Sequence, residues 1–262
     1  MPNATHALSN SLSSGWLCVL GWQSGVAGQS FAVASQIQGM ILLNNPDYAP
    51  KPWHATLLAI AVVSVAIFFN TYLARKLPMI EGGILLFHVF GFFAVMIPLW
   101  VLAPRHSSTD VWTSFTQTGG WPSMGVALLV GISGPVNALI GPDSAVHMSE
   151  EIKDASRVLP KAMTLALGLN GLTGLVSALT FTYCLGPLED AIAPTYNFAF
   201  IGTFYKATGS AKAATAMSCV ISIMTLCSAI SNVATASRQM FAFARDRGLP
   251  FNQVLSRVSS AH

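Results

Sequence analysis

The chain has 262 residues, of which 53% are hydrophobic and only 9% charged, with a mean hydropathy of +0.57. A soluble domain carries roughly 25% charged residues, so this composition argues against a soluble globular protein. The net charge of +3 comes without any basic cluster interleaved with aromatics, which argues against nucleic acid as a partner.

The charges are also segregated. No Asp, Glu, Lys or Arg occurs in residues 1–46, 52–74, 82–104, 111–142, 162–188 or 213–237. A membrane helix needs about 20 predominantly apolar residues, and each of these runs can hold one. The expectation is an all-α, polytopic membrane protein with about six transmembrane helices, near 16–43, 54–74, 83–102, 122–152, 160–185 and 212–243. Residues 1–14 are polar and read as a disordered lead-in, 15–248 as the transmembrane domain and 249–262 as a cytoplasmic tail. With six spans, Arg75, Lys76, Lys153, Arg157, Lys161, Arg238, Arg245, Arg247 and Arg257 share one side, against Lys51, Arg105, Lys206 and Lys212 on the other. The positive-inside rule then puts both termini in the cytoplasm. Cys18, Cys184, Cys219 and Cys227 all lie in apolar runs and read as packed thiols.

The first span carries Gly21, Gly25 and Gly28, a pattern that favours close helix approach. Its Gln23 is a weak candidate for lining a solute pathway. Three prolines in Asn44–Pro52 predict a turn before the second span, and Pro78 helps mark the short loop before the third. The fourth span is expected to be broken. Its first half, 122–140, is rich in small residues, and Pro135 and Pro142 each remove a backbone donor. Asp143 then ends a long uncharged run, directly after Gly141-Pro142. A carboxylate at that depth is expensive and marks a functional site by default. Its alternative role is an N-cap for the second half-helix, accepting from the amides of residues 145–146. If that half is α-helical, Asp143, His147, Glu150 and Glu151 fall on one face, as a proton pathway or gate. The fifth span is expected to start at Pro160 and to pack closely through Gly168, Gly171 and Gly174. Residues 196–205 are aromatic and weakly polar, as in an interfacial helix. The sixth span ends in a polar stripe, Ser228, Ser231, Asn232 and Thr235, which packs on a partner helix or lines a wet path.

Asp143, His147 and Glu150 mimic a metal spacing, but no second His cluster supports one. Neither a metal nor a cofactor is expected. Asp143 and His147 as a hydrolase pair find no GxSxG or HExxH support, so no enzyme activity is expected.

The run Gly141-Pro142-Asp143-Ser144-Ala145-Val146-His147-Met148-Ser149-Glu150-Glu151, followed by Lys153-Asp154-Ala155-Ser156, resembles the signature of fungal amino-acid, GABA and choline permeases, within the amino acid–polyamine–organocation superfamily. Gly15-Trp16 with Val19-Leu20-Gly21-Trp22-Gln23, Leu43–Tyr48 and Ser237–Asp246 agree with it. The resemblance implies helices three to eight of a twelve-helix transporter built on a five-plus-five inverted repeat. The broken helix would match the family's sixth. It further implies a substrate site at Gly141, Pro142, Asp143 and Ser144, although Pro142 stands where the family has an aromatic or small residue. The implied activity is secondary transport of a small nitrogenous solute (GABA, another amino acid, choline or a polyamine) by alternating access. The proton is the implied coupling ion, membrane lipid the surroundings, and the plasma membrane the location, with the vacuolar membrane second. The family's first two and last four helices are missing. The alternative is therefore a truncated, transport-inactive fragment with a structural or regulatory role, associating with other permease chains.

Overall fold

The chain is all-helical. The computed structural model describes residues 4–117, 119–192 and 195–257; the side chains of 4–11, 137, 148, 150, 151 and 192 lie outside that description. In chain order the helices are α1 (Ala4–Asn44), α2 (Pro52–Tyr72), α3 (Leu77–Leu102), α4 (Ser108–Thr113), α5 (Met124–Gly131), α6 (Ser133–Leu139), a long 3-10 helix (Pro142–Glu151), α7 (Ala155–Cys184), α8 (Leu188–Ile192), α9 (Ala199–Thr208), α10 (Ala211–Arg245) and α11 (Asn252–Leu255). No strand occurs among the described residues.

Among the described residues, five helices are long and apolar enough to cross a membrane: α1, α2, α3 with the 3-10 turn Ala74–Lys76 before it, α7 and α10. They coincide with five of the six predicted spans. The remaining one is the broken segment α5, α6 and the 3-10 helix. Several boundaries differ from expectation. α1 begins at Ala4, so most of the polar stretch expected to be disordered is helical. α3 begins at Leu77, with Pro78 in its first turn instead of in a loop, because the first turn of a helix needs no donor from that residue. α7 begins at Ala155, so Pro160 lies inside it. The Thr164 hydroxyl donates to the Pro160 carbonyl at 2.7 Å within that turn.

The described residues form two compact units. The first holds residues up to Ile37, Ala49–Leu85 and those from Ser222 onward; the second holds Gln38–Tyr48 and Leu86–Ile221. In the first unit, Asn70 Nδ2 of α2 donates to the Ile230 carbonyl of α10 at 2.9 Å, and Gln36 Nε2 of α1 donates to Thr225 Oγ1 at 3.3 Å. Small buried residues let the backbones approach there: Ala66, Ala229 and Ala234. Between membrane helices such packing and polar bonds, not exclusion of water, supply the attraction. Phe243 packs against Gly15 and Gly248, and its ring meets Trp16 edge to face at 6.1 Å.

In the second unit, α9 plugs the core. Ile201 and Phe204 are fully buried against Leu99 of α3, Cys184 of α7 and Ala214 of α10. A Cβ on Gly39 would run into the Tyr196 carbonyl, so this glycine of α1 is what lets the residues before α9 sit close. α9 thus buries one face in the unit's core, while Tyr205 and Lys206 on it stay exposed. By contrast, a Cβ at Gly21, Gly25, Gly28, Gly168, Gly171 or Gly174 would meet no described atom within 4 Å. The close approaches expected at those six are absent among the described residues, and Gly15 and Gly39 make the tight contacts of α1 instead. All four cysteines are free; Cys184 is buried, whereas Cys18, expected to be packed, is exposed.

Candidate functional site

The helix break forms where the missing donors require it. Pro135 has no N–H to give the Gly131 carbonyl, yet the backbone stays helical at Ile132 (φ −59, ψ −25), where Ile132 N donates to the Leu128 carbonyl at 3.1 Å and Val136 N to the Ile132 carbonyl at 3.2 Å, so α5 runs on into α6. Pro142 likewise cannot donate to the Ala138 carbonyl. After α6 the backbone is extended at Ile140 (φ −72, ψ 142) and then left-handed at Gly141 (φ 112, ψ −2). L side chains rarely adopt such a φ, and glycine adopts it without a steric penalty. The interruption thus falls at Ile140–Gly141–Pro142, where the sequence predicts it.

The second half is a ten-residue 3-10 helix instead of an α-helix. At three residues per turn, position 143 lines up with 146 and 149, position 147 with 150, and position 151 with 145 and 148. The single face expected for residues 143, 147, 150 and 151 is therefore split over three edges. Asp143 and His147 still meet: Asp143 Oδ2 lies 3.7 Å from His147 Nε2. The Asp143 side chain is 58% exposed and that of His147 18%. The carboxylate is accessible beside a half-buried imidazole, and the contact is ionic only when the imidazole is protonated. Gly141, not Asp143, occupies the N-cap position, and its carbonyl accepts from Ser144 N at 2.9 Å. Asp143 does not perform the capping role expected as its alternative. The side chains of Glu150 and Glu151 lie outside the described residues.

Residues 141–147 belong to the second unit; the weaker pathway candidates Gln23, Ser228, Ser231, Asn232 and Thr235 belong to the first. Gln23 is exposed and its amide lies 4.0 Å from Met240 Sδ. Thr235 is buried and donates to the Ser231 carbonyl at 3.2 Å, so its hydroxyl is satisfied within α10. Ser228 is exposed and Asn232 is half-buried. Ser231 donates to Glu81 Oε1 of α3 at 2.6 Å.

Glu81 was not legible as the partner of Ser231. It follows Pro78 and precedes the charge-free run 82–104, which reads as loop, whereas the structure makes it the fifth residue of α3. The signal that could have found it is the helix-compatible spacing from Leu77 onward, with Pro78 tolerated in the first turn.

A polytopic helical membrane protein with one helix broken beside an acid is the class that these features define. Residues 4–262 match the family model described as "Amino acid permease". The chain belongs to the amino acid permease family. It is 31% identical over 245 residues to a protein of Macrophomina phaseolina named "Putative amino acid/polyamine transporter", covering 93% of this chain and 54% of that one. It is 27% identical to a choline transporter of Saccharomyces cerevisiae, over 89% of this chain and 42% of that one. It is likewise 27% identical to amino-acid permease 2 of Neurospora crassa, over 94% of this chain and 46% of that one. The chain spans about half the length of the curated relatives it matches.

Proposed function

We propose that the chain serves secondary transport of a small nitrogenous solute, proton-coupled and working by alternating access. The observation that carries this reading is the break at Ile140–Gly141–Pro142 with Asp143 beside it, in a chain of the amino acid permease family. Interrupted membrane helices commonly build solute sites, because freed amides and carbonyls replace part of a solute's hydration. The relatives are named for choline, amino acids and amino acid/polyamine. These solutes share a cationic nitrogen, to which the accessible Asp143 carboxylate is complementary.

In this reading Gly141, Pro142, Asp143 and Ser144 hold the solute. Its ammonium meets the Asp143 carboxylate or the carbonyls freed by Pro142, and a zwitterion's carboxylate meets amides at the start of the 3-10 helix. Asp143 and His147 take and release the proton, with Glu150 and Glu151 further along the same segment. The protein is integral to a membrane, and we assign it to the plasma membrane ahead of the vacuolar one.

The test is uptake of labelled GABA, choline and amino acids at pH 5 and pH 7.5 by cells lacking their own permeases and expressing these 262 residues. Saturable uptake that rises at pH 5 supports the reading. Absence of uptake, with the chain shown to be membrane-inserted, overturns it for this chain.

A further inference from the structure

A cavity of about 250 Å³ lies in the second unit, away from the helix break in sequence, under α8 and α9. It is below the ~300–1,000 Å³ of sites for drug-sized ligands, which suits a small solute. Three aromatic rings line it, those of Tyr196, Phe198 and Tyr205, together with the oppositely charged pair Asp190 and Lys206. The Tyr196 and Tyr205 rings meet edge to face at 6.4 Å and 79°.

Lys206 Nζ lies 2.5 Å from Asp190 Oδ2, and the two side chains are 40% and 58% exposed. An ammonium has three donors and a carboxylate two acceptor oxygens. This bond uses one of each, and no other hydrogen bond or ion pair joins either group among the described residues. Two donors and one oxygen of opposite charge therefore remain beside the cavity without breaking the pair. Gly202 lines the cavity and Gly186 lies beside the lysine. A Cβ on Gly202 would touch the Tyr196 ring at 3.9 Å, and one on Gly186, where φ is +77, would sit 3.4 Å from Lys206 Nζ.

A ligand with one charge cannot use this arrangement well. A lone cation gains Asp190 and the rings but faces the lysine; a lone anion gains Lys206 but faces the aspartate. A molecule with an ammonium at one end and a carboxylate at the other uses both. We propose that this cavity is a binding site for a small zwitterion, with its ammonium on Asp190, its carboxylate on Lys206 and its methylenes against the tyrosine rings. Cation–π attraction adds to the ammonium end. The site is separate from the one proposed at Asp143 and stands or falls without it.

The experiment is equilibrium binding of labelled GABA and glycine to the whole purified chain in lipid nanodiscs, in an Asp143→Asn background that disables the break site. Saturable binding of either zwitterion is expected in the millimolar range. Asp190→Asn and Lys206→Met should each weaken it about tenfold, and Gly202→Leu should abolish it by filling the cavity. Choline and butyrate should compete at least tenfold less well than the zwitterions. Because either charge deletion could loosen α8 from α9, the swap Asp190→Lys with Lys206→Asp is the companion variant. It keeps the pair and should bind within a few-fold of the parent. No binding of either zwitterion in the Asp143→Asn chain, or binding indifferent to Asp190, Lys206 and Gly202, overturns the proposal.

Discussion

The Ser231 hydroxyl donates a 2.6 Å hydrogen bond to the Glu81 carboxylate, joining α10 to α3 across 150 positions of sequence. Measured interhelical hydrogen bonds in membranes average about 0.6 kcal/mol and reach about 1.7. A double-mutant cycle of Ser231→Ala and Glu81→Ala should therefore give a coupling within that range, read from unfolding in detergent. Glu81→Gln keeps an acceptor oxygen and should lose less than Glu81→Ala. A coupling of zero would mean the bond contributes nothing to the joining of α3 and α10.

Two glycines of α1 should respond in opposite directions to alanine. At Gly39 the new methyl would overlap the Tyr196 backbone carbonyl, which cannot rotate away as a side chain could. Overpacking of this kind costs roughly 1–3 kcal/mol. At Gly21 nothing lies within 4 Å of the new methyl, and alanine is about 0.8–1 kcal/mol better than glycine in a helix interior. Gly39→Ala should thus lower the melting temperature in detergent while Gly21→Ala leaves it unchanged or raises it. Equal losses at both positions would contradict the packing described for α1.

The break itself makes a third prediction. Gly141→Ala forces an alanine to a φ of +112, and residues held in sparsely populated backbone regions cost roughly 1–3 kcal/mol. Pro142→Ala acts differently, because it returns an N–H that can reach the Ala138 carbonyl. Circular dichroism of the double variant should show added helix as α6 runs on, and solute uptake should fall. Unchanged helicity would mean that the break is held by something other than these two residues.

Much of this was legible in advance, for physical reasons. Charge-free runs locate membrane helices because each charge within them is expensive, and α1, α2, α3, α7 and α10 all fall on predicted spans. Gly141-Pro142 located the break because both residues act through their own backbone. Contacts with distant residues were not legible. The pattern Gly21, Gly25, Gly28 looks like a packing face, yet Gly39 and Gly15 make the tight contacts, since what a glycine meets depends on Tyr196 and Phe243 far along the chain. The 3-10 form of Pro142–Glu151 was also hidden. Its residues suit an α-helix, and only the left-handed turns at Gly141 and Asp154 on either side show how the segment is confined. Glu81 was missed because Pro78 marks a loop as readily as a first turn.

The last prediction concerns Asp143 and follows from its accessibility. The carboxylate is 58% exposed and 3.7 Å from His147, so it is accessible to a solute's ammonium. Asp143→Asn keeps the shape and removes the charge and the proton. If the carboxylate binds the solute's ammonium and couples the proton, uptake should fall about tenfold or more at pH 5, and the residual uptake should no longer differ between pH 5 and pH 7.5. Asp143→Glu keeps a titratable group and should retain part of the pH dependence. His147→Gln removes the neighbouring proton acceptor but leaves the carboxylate, so it should blunt the pH dependence while leaving the solute's half-saturation concentration nearly unchanged. The split between the two variants separates solute binding from proton transfer. Normal uptake with normal pH dependence in Asp143→Asn would remove Asp143 from both roles.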